Sequence, residues 1–280
     1  MTRFARHFLL ALQFFTRIPV TGRLAQWVGF SPALLRASAA HFPGVGWVVG
    51  LLVASVTGLT LDSLPGSAYA PLVAATLGTV FGVLLTGAFH EDGLADVADG
   101  LGGSGEAPRA LEIMKDSRIG AFGAIAIVLA LLLKISLLAL LGSLDSGLLC
   151  AALFLAHVVS RGWPLLLIRL LPHVGDTALS KSKPLADQIS RASLGVALLW
   201  SLLAFAAVTV AQESTQFIVQ GIDLFDLLPA FSAALGASAL AFGAMWRWLA
   251  RRLGGFTGDC LGATQQVCEL AFYLGLALGL

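Results

Sequence analysis

The chain is a succession of apolar blocks, each about as long as a helix must be to cross a bilayer. Such blocks occupy roughly residues 42–61, 69–89, 119–141, 147–168, 193–211 and 227–248, with a shorter seventh at about 266–280. About 20 helical residues span a hydrocarbon core, and in lipid a segment must satisfy its own backbone hydrogen bonds, so these blocks read as helices. The expected fold is all-α, a polytopic integral membrane helical bundle of about 6–7 transmembrane helices. With 58% hydrophobic and 12% charged residues, an ordinary soluble domain is excluded. Residues 1–280 read as a single membrane domain, because no soluble segment, repeat or low-complexity tail interrupts the pattern. Cys150, Cys260 and Cys268 form neither a CxxC pair nor an even framework, and read as small apolar residues.

Residues 1–40 form a separate, interfacial segment. In a helix Phe4, Phe8, Leu12 and Phe15 share one face, while Arg3, Arg6, His7, Gln13 and Arg17 gather on another with Leu10 among them. That pattern suits a helix lying on a membrane surface. A secretory signal fits less well, since Gln13 and Arg17 interrupt the apolar run and no small-residue cleavage site follows Pro19.

Basic residues fix the orientation, because they stay on the cytoplasmic side. Arg3, Arg6, Arg17, Arg23 and Arg36 precede the first block, and Arg109, Lys115 and Arg118 follow the second. Arg169, Lys181, Lys183 and Arg191 follow the fourth, and Arg247, Arg251 and Arg252 end the sixth. The alternate loops near 62–68, 142–146 and 212–226 carry acids alone, so the N-terminus and the loop after the second block face the cytoplasm.

That loop, residues 90–118, concentrates chemistry where such a chain usually avoids it. Glu91, Asp92, Asp96, Asp99, Glu112 and Asp116 crowd between two apolar runs. If residues 90–100 are helical, Asp92, Asp96 and Asp99 fall at i, i+4 and i+7 on one face, with no lysine or arginine in the segment to neutralise them. A hard divalent cation would do so. A Gly-Gly-Ser-Gly turn then allows Glu112 and Asp116 to fold back as a helical hairpin, an acidic pocket at one end.

Other polar groups share that membrane face. Lys115 and Arg118 flank the acids, and Arg118 precedes the start of the third block, where free helical N–H groups would suit a phosphate. Before the last block, GGFTGDCLGATQQVCE carries Thr257 and Asp259, readable either as a helix cap or as a further part of the site. Arg161 lies inside the fourth block, where a charge is costly and calls for a substrate or carboxylate partner. Lys134, inside the third, allows no assignment; His41, His90 and His157 read first as structural, His90 least so because it opens the cluster.

Clustered aspartates beside Arg and Lys, without a Ser-His-Asp set or zinc spacing, suit phosphoryl transfer from a metal-bound pyrophosphate to an alcohol. DGLAD…D is reminiscent of membrane CDP-alcohol phosphotransferases, but the spacing of that signature is not met. The motifs FLLALQFFTRIPV (8–20), FHEDGLADVADG (89–100), EIMKDSRIG (112–120), and GGFTGD with Gly262-Ala263 (254–263) resemble, in order, the signatures of the cobalamin synthase family, the adenosylcobinamide-GDP ribazoletransferases.

The resemblance implies a Mg²⁺-dependent transferase of vitamin B12 biosynthesis in a bacterial cytoplasmic (inner) membrane, active on its cytoplasmic side. It would join adenosylcobinamide-GDP to α-ribazole or its 5′-phosphate and release GMP. Asp92, Asp96, Asp99 and Asp116 are then expected to hold metal and act in catalysis, one of Asp99 and Asp116 as proton acceptor. His90, Lys115, Arg118, Arg161, Thr257 and Asp259 are expected to bind substrate. Glu91, a position where the family varies, stays outside the ligand set. No nucleic-acid partner is expected beside the substrates and the lipid bilayer; small residues along 44–50 and 78–88 also allow a homo-oligomer. The competing reading is an ion-coupled transporter with an acidic cation site, which would place its charges at mid-bilayer and repeat its halves.

Overall fold

A computed structural model of the chain describes residues 2–175, 189–215 and 224–280. Lys181, Lys183, Asp223 and most of the loop 172–191 lie outside the described residues, as does the side chain of Asp226. The structure is helical: α1 (Thr2–Phe15), α2 (Gly22–Val28), α3 (Pro32–Ser38), a short 3-10 turn (Ala39–His41), α4 (Phe42–Ser63), α5 (Ala70–Thr86), α6 (Phe89–Gly103) and α7 (Ala107–Met114). There follow α8 (Ala121–Leu144), α9 (Ser146–Ser160), α10 (Trp163–Leu170), α11 (Arg191–Thr215), α12 (Leu224–Leu253) and α13 (Gly258–Gly279). The only strand-like pairing among the described residues is an isolated bridge between His173 and Phe256. It holds the turn before α13 against the segment after α10, through Val174 N–H to the Phe256 carbonyl and Phe256 N–H to that of Pro172, both at 3.0 Å.

Five described helices are long and apolar enough to cross a membrane, or six if α5 and α6 count as one broken span. The polytopic bundle is as expected, but two blocks differ from their sequence boundaries. The second stops being straight at Thr86, and α6 leaves α5 at 89°. The corner is built from two left-handed residues, Gly87 (φ 69°) and Ala88 (φ 58°). Glycine takes this conformation without penalty, and at position 87 a side chain would also collide with the Arg17 guanidinium. The two helices are thus a broken span or a re-entrant turn, and α6, with 15 residues, is by itself too short to cross. The last helix begins at Gly258, well before the apolar run near 266, because Thr257 caps it by accepting a hydrogen bond from Cys260 N–H at 3.4 Å.

The α9–α10 span is the centre of the bundle. Its most apolar window is 83% buried, against 22% for α8 and 17% for α11, whose leucines such as Leu129, Leu132, Leu198 and Leu202 point outward. Outward leucines suit lipid rather than water. At Gly46 and Gly50, α4 runs directly against the α9 backbone at His157 and Phe154, leaving no room for a Cβ. α1 packs on this bundle through Leu10, Ala11, Leu12 and Phe15, so Leu10, which helical spacing puts among the polar residues, is buried as well. Phe4 and Phe8 sit edge-on to His41 and tilted against Trp200.

Candidate active site

The helical spacing of the acids is realised: Asp92, Asp96 and Asp99 lie on α6. α6 packs across the beginning of α13, and glycines set how close the two can come. At Gly93 a Cβ would stand 2.7 Å from the Asp259 carbonyl, and at Gly262 one would stand 3.3 Å from the His90 backbone. This approach brings Asp259, in the first turn of α13, into the electrostatic environment of Asp92 and Asp96. Asp96 is consequently pushed up to about 7, first by burial and then by the carboxylates of Asp259, Asp92 and Asp99. Burial also raises Asp259, while the Thr257 hydroxyl, donating to its Oδ2 at 3.2 Å, works the other way. Thr257 thus caps α13, one of the two readings the sequence offered, and also contacts Asp259.

Asp99 does something different from the expected metal ligation. It is buried, and its two oxygens accept from the N–H groups of Gly120 (2.7 Å) and Gly123 (2.8 Å) at the start of α8. The helix N-terminus expected to receive a phosphate is therefore already filled by a carboxylate of the protein itself, the anion such an end favours. A side chain at Gly120 or Gly123 would intrude on this clasp.

The second half of the hairpin folds back as expected: α7 packs on α6, with Met114 and Ala110 against Gly100. The structure does not bring Asp116 into the acidic group, however. Asp116 faces solvent and takes both Nε and Nη2 of Arg118 (3.0 and 2.6 Å), which hold its carboxyl well below the ordinary aspartate range. Arg118 lies at the surface, committed to that pair, and Glu112 pairs with Arg109 at 2.8 Å. Lys115 closes the C-terminus of α7. Arg252, which the sequence reading used only for orientation, donates to the carbonyls of Leu101 and Ser104 (2.9 and 2.6 Å) and closes the end of α6.

Beneath the acids lies a buried polar network in which sequence reasoning had given a role, substrate binding, to Arg161 alone. Lys134 reaches Glu269 at 2.6 Å, both nearly inaccessible. Glu269 also accepts from Gln265 Nε2 (2.6 Å) and Tyr273 OH (3.0 Å), and Gln265 Nε2 meets Ser160 Oγ at 2.8 Å. Arg161 Nη1 donates to the His157 carbonyl at 2.8 Å and meets His157 Nδ1 at 3.0 Å. Glu91, outside the expected ligand set, accepts from Gln266 Nε2 at 3.0 Å and ties α6 to α13. Gln265, Glu269 and Tyr273 recur every four residues in an otherwise apolar helix, and that stripe was the available signal. His90 is buried at the upper edge, stacked on Phe15.

Among the described residues no three His, Cys, Asp or Glu side chains converge as a ready-made metal cage. Mg²⁺ does not require one, since it is commonly held by one or two carboxylates with water and substrate phosphate completing the octahedron. Asp92 and Asp96, hard oxygen donors whose mutual repulsion adds to the rise of Asp96, fit that mode; Asp99 and Asp116 already have partners, the α8 N–H groups and Arg118.

Residues 7–277 match the family model described as cobalamin-5-phosphate synthase. The chain is 67% identical over 280 residues, all of both chains, to an adenosylcobinamide-GDP ribazoletransferase of Albidiferax ferrireducens. It is 58% identical over the full length of both chains to one of Polaromonas naphthalenivorans, and 44% identical over 268 residues to one of Vibrio cholerae, covering 95% of this chain and 91% of that one. No solved structure matches.

Proposed function

The chain belongs to the cobalamin-5-phosphate synthase family and is a transferase, and from that premise we propose that it joins adenosylcobinamide-GDP to α-ribazole, or to its 5′-phosphate, in a Mg²⁺-dependent reaction at the cytoplasmic face of a bacterial inner membrane. The observation that carries the site assignment is the meeting of Asp92 and Asp96 on α6 with Asp259 on α13. A ribose hydroxyl oxygen bonds to the phosphorus nearer the cobinamide, the phosphoanhydride bond breaks, and GMP departs with the electron pair. Mg²⁺ bound to the pyrophosphate would neutralise the charge gathering on the departing phosphate.

The chain's own residues do the rest. Asp92 and Asp96 would hold the metal. Asp259, whose burial favours the protonated form, takes the proton released by the attacking hydroxyl, and Thr257 orients it. Arg118 and Lys115, at the end of the hairpin, meet phosphate oxygens; Arg118 exchanges its Asp116 partner for them on binding, a low-cost exchange for an exposed pair. Asp99 holds α6 against α8 so that its neighbours are presented at fixed height.

The test is turnover by protein reconstituted in liposomes, with GMP and the cobamide product followed with and without Mg²⁺. Asp92→Ala and Asp96→Ala should lose at least about a thousandfold in rate while unfolding at temperatures no lower than wild type. Retained activity in either variant, or product formed in excess chelator, would refute the assignment.

A further inference from the structure

Between α1, α4, α6 and α13 lies a cavity whose walls are aromatic. Phe14, Phe15, Phe42 and Phe89 surround it, with the polar side chains of His90 and Arg161 opening into it. The rings meet nearly edge to face: Phe15 and Phe42 at 4.3 Å, Phe15 and Phe89 at 5.4 Å, Phe14 and Phe89 at 5.7 Å. Such a set offers both faces and edges to a flat aromatic guest.

Two of its polar atoms stand without a protein partner. Arg161 is almost wholly buried, and while its Nη1 is held by His157, its Nε has no acceptor. Gln265, on the same cavity, gives its amide hydrogens to Ser160 and Glu269 and leaves Oε1 without a donor. Buried polar groups are nearly always paired, so one unpaired donor and one unpaired acceptor on two residues that line a common space describe what should enter it. A phosphate, which calls for several donors and water around it, is a poor match for a space walled by four phenylalanine rings, and an acyl chain would leave both polar atoms unmet. A flat bicyclic base with one free ring nitrogen, carrying a sugar hydroxyl close by, matches both.

The cavity also adjoins the acids. Gly258 lines it and Asp259 is the next residue; His90 lines it and Asp92 is two residues on. We propose that this cavity seats the base of the ribazole nucleoside, the free ring nitrogen of its benzimidazole accepting from Arg161 Nε–H and a ribose hydroxyl donating to Gln265 Oε1. Resting on the transferase reading, this assigns the lower-ligand specificity of the enzyme to the phenylalanines of α1, α4 and α6. The closed cavity has about 30 Å³ of water-accessible space, so the part-exposed Phe14 and Phe89 must rotate to admit the base.

Protein in nanodiscs tests the proposal by equilibrium binding of radiolabelled α-ribazole and, separately, of adenosylcobinamide-GDP. The first comparison needs no variant: the isosteric indole riboside, with carbon in place of the free ring nitrogen, should bind at least about tenfold more weakly than the benzimidazole riboside. Leu261→Trp, which fills the cavity, should weaken α-ribazole by a similar factor and leave adenosylcobinamide-GDP within about twofold. Phe42→Ala should improve kcat/KM for a larger, naphtho-fused base relative to benzimidazole. Wild-type turnover with equal affinity for the two ribosides, or equal loss of both substrates in Leu261→Trp, would overturn the base site alone. Wild-type protein that bound no α-ribazole and released no GMP would overturn the transferase reading with it.

Discussion

Asp99→Asn separates a clasp from a metal ligand. The native carboxylate takes two backbone N–H groups of α8, and hydrogen bonds to a charged group contribute about 1.5–3 kcal/mol each. Asparagine keeps one acceptor and turns an NH₂ group toward the other N–H, leaving that donor opposed in a buried position. The cost should be about 2–4 kcal/mol, and at about 2–4 °C per kcal/mol for a chain of this size the melting temperature should fall by about 4–16 °C. The assay is thermal unfolding in detergent followed by tryptophan fluorescence, paired with Mg²⁺ activation of turnover measured well below the transition. The half-saturating Mg²⁺ concentration of the variant should stay within about threefold of wild type, because ligand loss alone typically costs more. A variant that melted like wild type but required far more Mg²⁺ would refute the clasp and restore Asp99 to the metal site.

With Asp96 near 7 in the metal-free protein, protons compete with Mg²⁺, and the half-saturating concentration should rise about tenfold from pH 8 to pH 6; a flat profile would contradict this. The same shift gives a stability sign: the folded state binds this proton more tightly than the unfolded chain, so the contribution is fully present at low pH and is lost as pH rises from about 4 through 7. Metal-free protein should therefore melt lower at pH 8 than at pH 6 when Asp96 is present, and lose that difference in Asp96→Asn. Ala88→Gly should raise the melting temperature, by up to about 1 kcal/mol of relieved left-handed strain, whereas Gly87→Ala should lower it by more through collision with Arg17; scanning fluorimetry of the two decides. Lys134→Met should destabilise by about 3–5 kcal/mol by leaving Glu269 unpaired, and adding Glu269→Gln should recover most of it in a double-mutant cycle.

What the sequence made legible followed from periodicity and block length. The all-helical bundle, the amphipathic α1 and the single face shared by Asp92, Asp96 and Asp99 needed only helical geometry, which is local. What it hid depended on tertiary approach. That Asp99 faces α8 while Asp96 faces α13 is decided by Gly93, Gly120, Gly123 and Gly262, whose missing side chains determine which helix comes near. Spacing within α6 holds no trace of that choice. Asp116 was expected among the ligands through the resemblance of EIMKDSRIG and the hairpin's return, but α7 ends at Met114 and the chain turns it outward onto Arg118. Lys134 was ambiguous because its partner lies 135 residues later in the chain, beyond any local pattern.

That separation bears on how the protein is made. A lysine at the centre of a membrane helix costs about 2.5–3.5 kcal/mol during insertion, and α8 leaves the ribosome long before Glu269 has been synthesised. Until α13 docks, α8 carries an uncompensated charge. One docking event then does two things: it neutralises Lys134 and delivers Asp259 to the acids of α6.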